Sequence, residues 1–166
     1  MILVPLTQEK VALIDDADAE CVLVHKWCAK RDGHTFYAMR KTKRVLGGRT
    51  VYMHSILMPM PQAGHSIDHI NGNGLDNRRC NLRYATKQQQ NFNARPHGGR
   101  SVYKGVSWED RVAAGRASCW LAQIQINGKS IKRRARSELE AAALYNILAR
   151  EHFGEYARLN DLGEMS

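Results

Sequence analysis

Between Ser66 and Arg83 the sequence S-I-D-H-I-N-G-N-G-L-D-N-R-R-C-N-L-R gathers carboxylates, an imidazole, several amides and three arginines into 18 residues. Asp68 is a hard oxygen donor suited to a divalent cation, and His69 is the side chain best able to take a proton near neutral pH. Neighbours on a strand point to opposite faces, so the two serve one reaction only at a strand end or bend that re-aims one of them. Asn71-Gly72-Asn73-Gly74 supplies that bend. Taken without its surroundings, an Asp-His pair reads more readily as a turn whose side chains bond to its own backbone; the arginines and downstream amides are what favour chemistry.

The elements that must position this segment follow from the pattern on either side. Short β-like runs at Met1–Val4, Val11–Ile14, Cys21–Val24, Phe36–Met39 and Thr50–Met53, broken by turns such as Arg31-Asp32-Gly33, predict a small antiparallel sheet. Residues 59–74 carry a loop signature, Cys80–Thr86 reads as a strand, and Lys87–Ala94 as one or two helical turns. Residues 96–101 then form an interdomain linker. Beyond it, Tyr103–Trp108, Cys119–Ile126 and Ser130–Ala135 predict three strands, the last two joined by the Asn127-Gly128 hairpin signal. Alternation in Cys119–Ile126 puts Trp120, Ala122, Ile124 and Ile126 on one face and Leu121, Gln123 and Gln125 on the other. From Ser137 the pattern becomes helical, with Ser137 and Glu140 at capping-box spacing. The expected fold class is α+β.

Charge narrows the partner. Residues 1–77 carry +1, residues 78–136 carry +12 and residues 137–166 carry −4 of the net +9. The central block is mostly arginine, the side chain fitted to forked phosphate contacts, and such a block is the footprint of a polyanion-binding surface. Four single cysteines, with no paired spacing, favour neither a disulfide scaffold nor a structural zinc module. The absence of a long apolar run or a signal-like start predicts a cytoplasmic protein without membrane contact.

At residues 50–95 the ordered motifs Asp68-His69-Ile70-Asn71-Gly72-Asn73, Asp76-Asn77-Arg78, Asn81-Leu82-Arg83 and Gln90-Asn91-Phe92-Asn93 resemble the HNH homing endonucleases of phages and mobile introns. Met53-His54-Ser55-Ile56-Leu57 is similar to that family's M-H-R-L-I element. The resemblance implies a ββα-metal (His-Me) finger around one divalent cation, Mg²⁺ or also Mn²⁺. By position, Asp68 would be a metal ligand, His69 the general base and Asn81 the asparagine bracing the histidine loop. The third motif position falls by offset on Gln90, with Asn91 beside it. Successive helical residues diverge by about 100°, so one of the two faces the cation; Asn91 is the expected ligand, because its shorter amide resembles the usual one, against the offset that points to Gln90. His54 would support the site or serve as a buried structural residue.

Residues 102–160 resemble the Apetala/ethylene-response-factor DNA-binding domain through Tyr103-Lys104-Gly105-Val106, Trp108, Trp120-Leu121-Ala122-Gln123-Ile124, Asn127-Gly128-Lys129 and Gly154-Glu155-Tyr156-Ala157-Arg158-Leu159-Asn160. That implies a three-stranded sheet laid in the DNA groove with a helix behind it. The expected layout is a nuclease domain over 1–95, a linker over 96–101 and a DNA reader over 102–160. The expected contacts to double-stranded DNA are Arg78, Arg83, Arg95, Arg100, Lys104, Trp108, Gln123, Gln125, Lys129, Lys132 and Arg134. Arg111 and Arg116 lie in an insertion longer than the family norm. The overall expectation is a monomeric or weakly dimeric DNA endonuclease with no small-molecule substrate; its rival is a DNA-binding regulator whose finger no longer cuts.

Overall fold

The structure is a computed structural model that describes residues 1–163 apart from 44–46, 60, 97, 111 and 113–116, so Arg111 and Arg116 lie outside the described residues. The chain is α+β, made of small antiparallel sheets and a few helices, and divides into two compact units, Met1–Gln90 and Asn91–Ser166.

In the first unit, β1 (Ile2–Pro5) pairs with β2 (Val11–Ile14), and β3 (Cys28–Asp32), β4 (Thr35–Lys41) and β5 (Thr50–Tyr52) form a second sheet in that order. The Cys21–Val24 strand expected from sequence is instead the end of a short helix, α1 (Ala19–Leu23). Its start is crowded with Asp15, Asp16 and Asp18, and carboxylates complement the positive N-terminal end of a helix; that local chemistry outweighs a β-like run of four residues. The run buries only Val22, which packs with Val4, Ile14, Trp27, Met53, Leu57 and Leu82. Trp27 closes this core by donating its indole N–H to the Val22 carbonyl at 2.9 Å.

After β5 comes one turn of helix, α2 (His54–Leu57), and then β6 (His65–His69). Residues 65–69 were expected as loop. They are a strand because β7 (Leu82–Thr86) pairs along their whole length, from His65↔Thr86 to His69↔Leu82, a register that local composition does not encode. Helix α3 (Lys87–Asn93) follows β7 directly, and the boundary between the two units falls within it.

In the second unit β8 (Val106–Glu109), β9 (Cys119–Ile126) and β10 (Lys129–Ala135) form one antiparallel sheet with β9 in the centre. Asn127 and Gly128 both adopt positive φ, 49° and 77°, which is the two-residue turn that matches strand twist. Helix α4 (Glu138–Phe153) is capped as its sequence predicts, with the Ser137 side chain accepting from the Glu140 N–H. It packs Ala141, Tyr145, Leu148, Ala149 and Phe153 against Ala122, Ile124 and Ala135 of the sheet. Gly105 lies so close to the Tyr145 ring that a Cβ there would come within 2.1 Å of it.

Candidate active site

His69 is the last residue of β6, and its strand partner is Leu82 of the core, so its imidazole points inward and is only 5% exposed. Asp68, one residue earlier, points the other way and faces Arg83, whose guanidinium reaches Asp68 Oδ2 at 3.0 and 3.1 Å. The chain then turns, with Gly72 N–H donating to the His69 carbonyl at 2.9 Å. Asn81 ties the resulting loop across its mouth: its Oδ1 accepts from Asn71 N–H at 2.9 Å and its Nδ2 donates to the Asp76 carbonyl at 2.7 Å. Asn71 Nδ2 donates to Asp76 Oδ2, and the Arg78 fork holds both oxygens of the same carboxylate at 2.7 Å. Those bonds keep the Asp76 carboxyl below the usual carboxylate range.

The loop is gripped from the N-terminal segment as well. Leu13 in β2 donates to the Leu75 carbonyl and accepts from Asn77 N–H, both at 2.8 Å. Asp18, 2% exposed, takes Arg79 in a fork, and Asp15 accepts Arg79 N–H. Gly74 N–H donates to Thr35 Oγ1 of β4 at 3.0 Å, and a Cβ on Gly74 would lie 2.6 Å from the Tyr37 ring; only glycine lets the loop lie this close to the sheet.

Around the imidazole, Tyr37 of β4 and His54 of α2 meet His69 edge-on, with ring centroids 5.6 and 5.2 Å away, and Tyr52 of β5 stacks on His54 at 5.4 Å. Asn77 Oδ1 lies 3.3 Å from His69 Nε2. Burial lowers the His69 pKa, an effect opposed in part by Asn77, Asp68 and Asp76. Burial, reinforced by the neighbouring His69, lowers that of His54 to about 4. Both rings are therefore neutral at pH 7, and a neutral imidazole is the form that accepts a proton.

The other sequence-predicted residues are distributed as follows. Arg78 and Arg83 are engaged with Asp76 and Asp68 inside the first unit, and Gln90 Nε2 donates to Ser66 Oγ on β6 at 2.8 Å, two residues along the strand from Asp68. Asn91 is exposed, and its backbone carbonyl accepts from the Lys104 ammonium, which also donates to the Phe92 carbonyl. Lys104 is held at a pKa of about 8 by burial and the nearby Arg158. Arg95 is exposed, and the Arg100 guanidinium lies over the Trp108 and Trp120 rings, 4.7 and 6.0 Å from their centroids. Cross-strand register puts Gln123, Gln125, Lys132 and Arg134 on one face of the second sheet, and Arg134 reaches Glu109 at 3.2 Å. Trp108 and Lys129 belong to the opposite face, the one α4 covers, because Trp108 pairs with Trp120 and Lys129 with Ile126. Sequence reasoning missed Asn77, Tyr37 and Tyr52, and also Lys30, whose ammonium donates to the Tyr52 hydroxyl at 3.1 Å. Aromatic residues clustered in a strand pattern were the one available signal for the tyrosines.

No three His, Cys, Asp or Glu side chains among the described residues group as a metal site. A cation at Asp68 would therefore rely on one carboxylate, amide oxygens and water. That oxygen set suits Mg²⁺ or Mn²⁺, and the guanidinium already seated on Asp68 Oδ2 marks this carboxylate as a place that holds positive charge.

The amino-acid sequence is similar to known proteins. The family model for HNH endonucleases matches residues 59–92, the span from the end of α2 through β6, the loop, β7 and most of α3. Protein 3.8 of Escherichia phage T7 is 34% identical over 101 residues, covering 60% of this chain and 78% of that protein. An uncharacterized HNH endonuclease of Acanthamoeba polyphaga mimivirus is 32% identical over 97 residues, 58% of this chain and 47% of that protein, about half its length. No solved structure matches the chain. The class is thus a DNA-cleaving hydrolase. Within that class, residues 59–92 carry the HNH endonuclease match, and the chain is similar to these two viral proteins. Enzymes of this family generally use a divalent metal. No helix among the described residues is long and apolar enough to cross a membrane.

Proposed function

We propose that the chain is a site-preferring endonuclease that cuts one DNA strand per active site, with His69 as general base and Asp68 and Gln90 as protein ligands of one divalent cation, Mg²⁺ or Mn²⁺. The observation that carries this reading is the His69 imidazole, buried and neutral at the end of β6 with a carboxylate one residue away. His69 takes a proton from a water aligned with the scissile phosphorus; the water oxygen bonds to phosphorus as the bond to O3′ breaks, leaving a 5′-phosphate and, after protonation, a 3′-hydroxyl. When bound, the cation supplies charge neutralisation at the phosphoryl and departing oxygens. Asn81 and Asp76 keep the loop rigid, so His69 needs little reorganisation to meet its water. Arg83 holds the Asp68 carboxylate in one orientation. Gln90 is preferred to Asn91 as the amide ligand because its side chain is bonded to the strand that bears Asp68. One base per chain implies one cut per encounter.

In the same reading the second unit is the DNA reader, an Apetala/ethylene-response-factor-type sheet that presents Gln123, Gln125, Lys132 and Arg134 to the groove. Amides read base edges, and cations hold phosphates. The deciding experiment incubates purified protein with supercoiled plasmid and Mg²⁺. Accumulation of nicked circles that a chelator prevents is the expected result. Cutting that persists in chelator, or no cutting with either metal, overturns it.

A further inference from the structure

The arginines nearest the candidate active site are held by the protein's own carboxylates: Arg83 on Asp68, Arg78 on Asp76 and Arg79 on Asp18. A nuclease must nevertheless hold the polyanion beside its cut, and phosphate contacts fix the register of a duplex. A cation placed for this lies outside the segment that matches the HNH family, on the three-stranded sheet of the first unit. Lys30 of β3 sits directly opposite Tyr37 of β4 in the strand register, and Tyr37 is a ring that touches His69. Tyr52 stands on the neighbouring strand, stacked on His54, which touches His69 from another side. Lys30 is exposed, its hydrogen-bonded partner is the uncharged Tyr52 hydroxyl, and among the described residues no carboxylate forms a salt bridge with it, the Asp32 carboxylate attracting it only from beyond that distance. The ammonium lies 5.7 Å from the Tyr52 ring centroid, which keeps the long side chain against the aromatic wall. One of its three N–H donors is used. The Tyr52 oxygen accepts from Lys30, which leaves its own O–H to donate outward.

We propose that Lys30 and Tyr52 form a two-donor clamp for one DNA backbone phosphate next to the scissile bond, so that the sheet preceding the HNH segment positions the substrate. The inference rests on the endonuclease reading above. The ammonium supplies charge, and the phenol, fixed by its stack on His54, supplies direction. The contact is made in the ground state and retained in the transition state, so it acts on affinity and register rather than on the proton transfer itself.

The test uses the full chain carrying His69→Ala, which blocks cutting, and measures duplex affinity across a salt series for that parent and for added Lys30→Gln, Lys30→Arg and Tyr52→Phe. Loss of one phosphate contact lowers the slope of log affinity against log salt by about 0.9. Lys30→Gln should show that loss, Lys30→Arg should keep the parent slope, and Tyr52→Phe should weaken binding severalfold with the slope kept. Duplexes with a single methylphosphonate, scanned around the cut mapped with the active chain, should erase the Lys30→Gln effect at one phosphate within a few nucleotides of the cut. An unchanged slope in Lys30→Gln, a parent that does not bind DNA, or a loss that couples to no single phosphate overturns the clamp. Failure of the active chain to cut plasmid overturns the endonuclease reading instead, and the salt slopes are measured independently of it.

Discussion

Asn77 Oδ1 lies 3.3 Å from His69 Nε2, and the orientation of its amide is set from behind, because Asn77 Nδ2 donates to the Leu75 carbonyl at 3.2 Å. An amide oxygen only accepts, so the proton of the neutral imidazole belongs on Nε2 and the lone pair on Nδ1. Asn77 is wholly buried, and its N–H is held by Leu13 of β2. A segment far upstream in sequence therefore holds the residue that selects which nitrogen of His69 can take a proton. Asn77→Ala should lower kcat by about 10- to 100-fold with KM little changed, the usual cost of losing a partner that orients a functional histidine. Imidazole ¹⁵N shifts of His69 should show one tautomer in the parent and a mixture in the variant.

Removing the base itself costs more. His69→Ala should lose about 10²- to 10⁴-fold in cleavage rate while duplex affinity is retained, since the buried ring makes no phosphate contact in the ground state. Gel-shift titration beside single-turnover cleavage separates the two quantities. Full nicking by His69→Ala would remove the assigned role.

The amide ligand is decided by two single substitutions. Gln90→Ala should abolish Mg²⁺-dependent cleavage, and Asn91→Ala should leave most of it. Calorimetric Mn²⁺ titration of both variants reads the metal directly, and the reverse pattern transfers the role to Asn91.

The order of difficulty in reading this chain from sequence is physical. Asp68 and His69 were legible because the atoms that define their chemistry are local, and helix α4 and the β9–β10 hairpin because Ser137, Glu140, Asn127 and Gly128 act within a few residues. Arg78 and Arg83 read as phosphate contacts because charge along a sequence does not show which carboxylate lies opposite. Arg83 meets Asp68 only through the β6–β7 register. The side of the sheet on which Trp108 lies depends on register in the same way: it follows from pairing with Trp120, not from its own alternation. Lys30, Tyr37 and Tyr52 come to His69 on strands distant in sequence, so no spacing rule joins them.

Acid should unfold the first unit early. His54 is held at about pH 4 in the fold against 6.5 when exposed, mainly by burial, so the unfolded chain binds a proton that the folded chain refuses. No stability is lost above pH 6.5; between 6.5 and 4 it falls progressively, by up to about 3 kcal/mol for this one group. His69 is shifted in the same direction. The midpoint of thermal unfolding should drop steeply across that window, and His54→Gln should flatten the drop. A parent whose midpoint is level from pH 7 to 4.5 would contradict the burial of a neutral ring.

The two faces of the second sheet make opposite predictions. Lys132 and Arg134 share the open face with Gln123 and Gln125, while Trp108 lies with Trp120 and Ala135 on the face that α4 covers. If the open face reads DNA, Lys132→Gln with Arg134→Gln should lower the salt slope of duplex binding by about 1.8, two phosphate contacts at about 0.9 each. Freeing Glu109 from Arg134 adds local negative charge and works in the same direction. Trp108→Ala should instead cost about 2 kcal/mol of stability, roughly half the usual cost for a fully buried tryptophan because its ring is half-buried, with the slope unchanged. Arg100 loses its stacking platform in that variant, so a slope that falls by one unit would mean Arg100 contacts phosphate from over the Trp108 ring. A slope unaffected by the double substitution, measured on the full chain at several salt concentrations, would place the DNA on another surface of this unit.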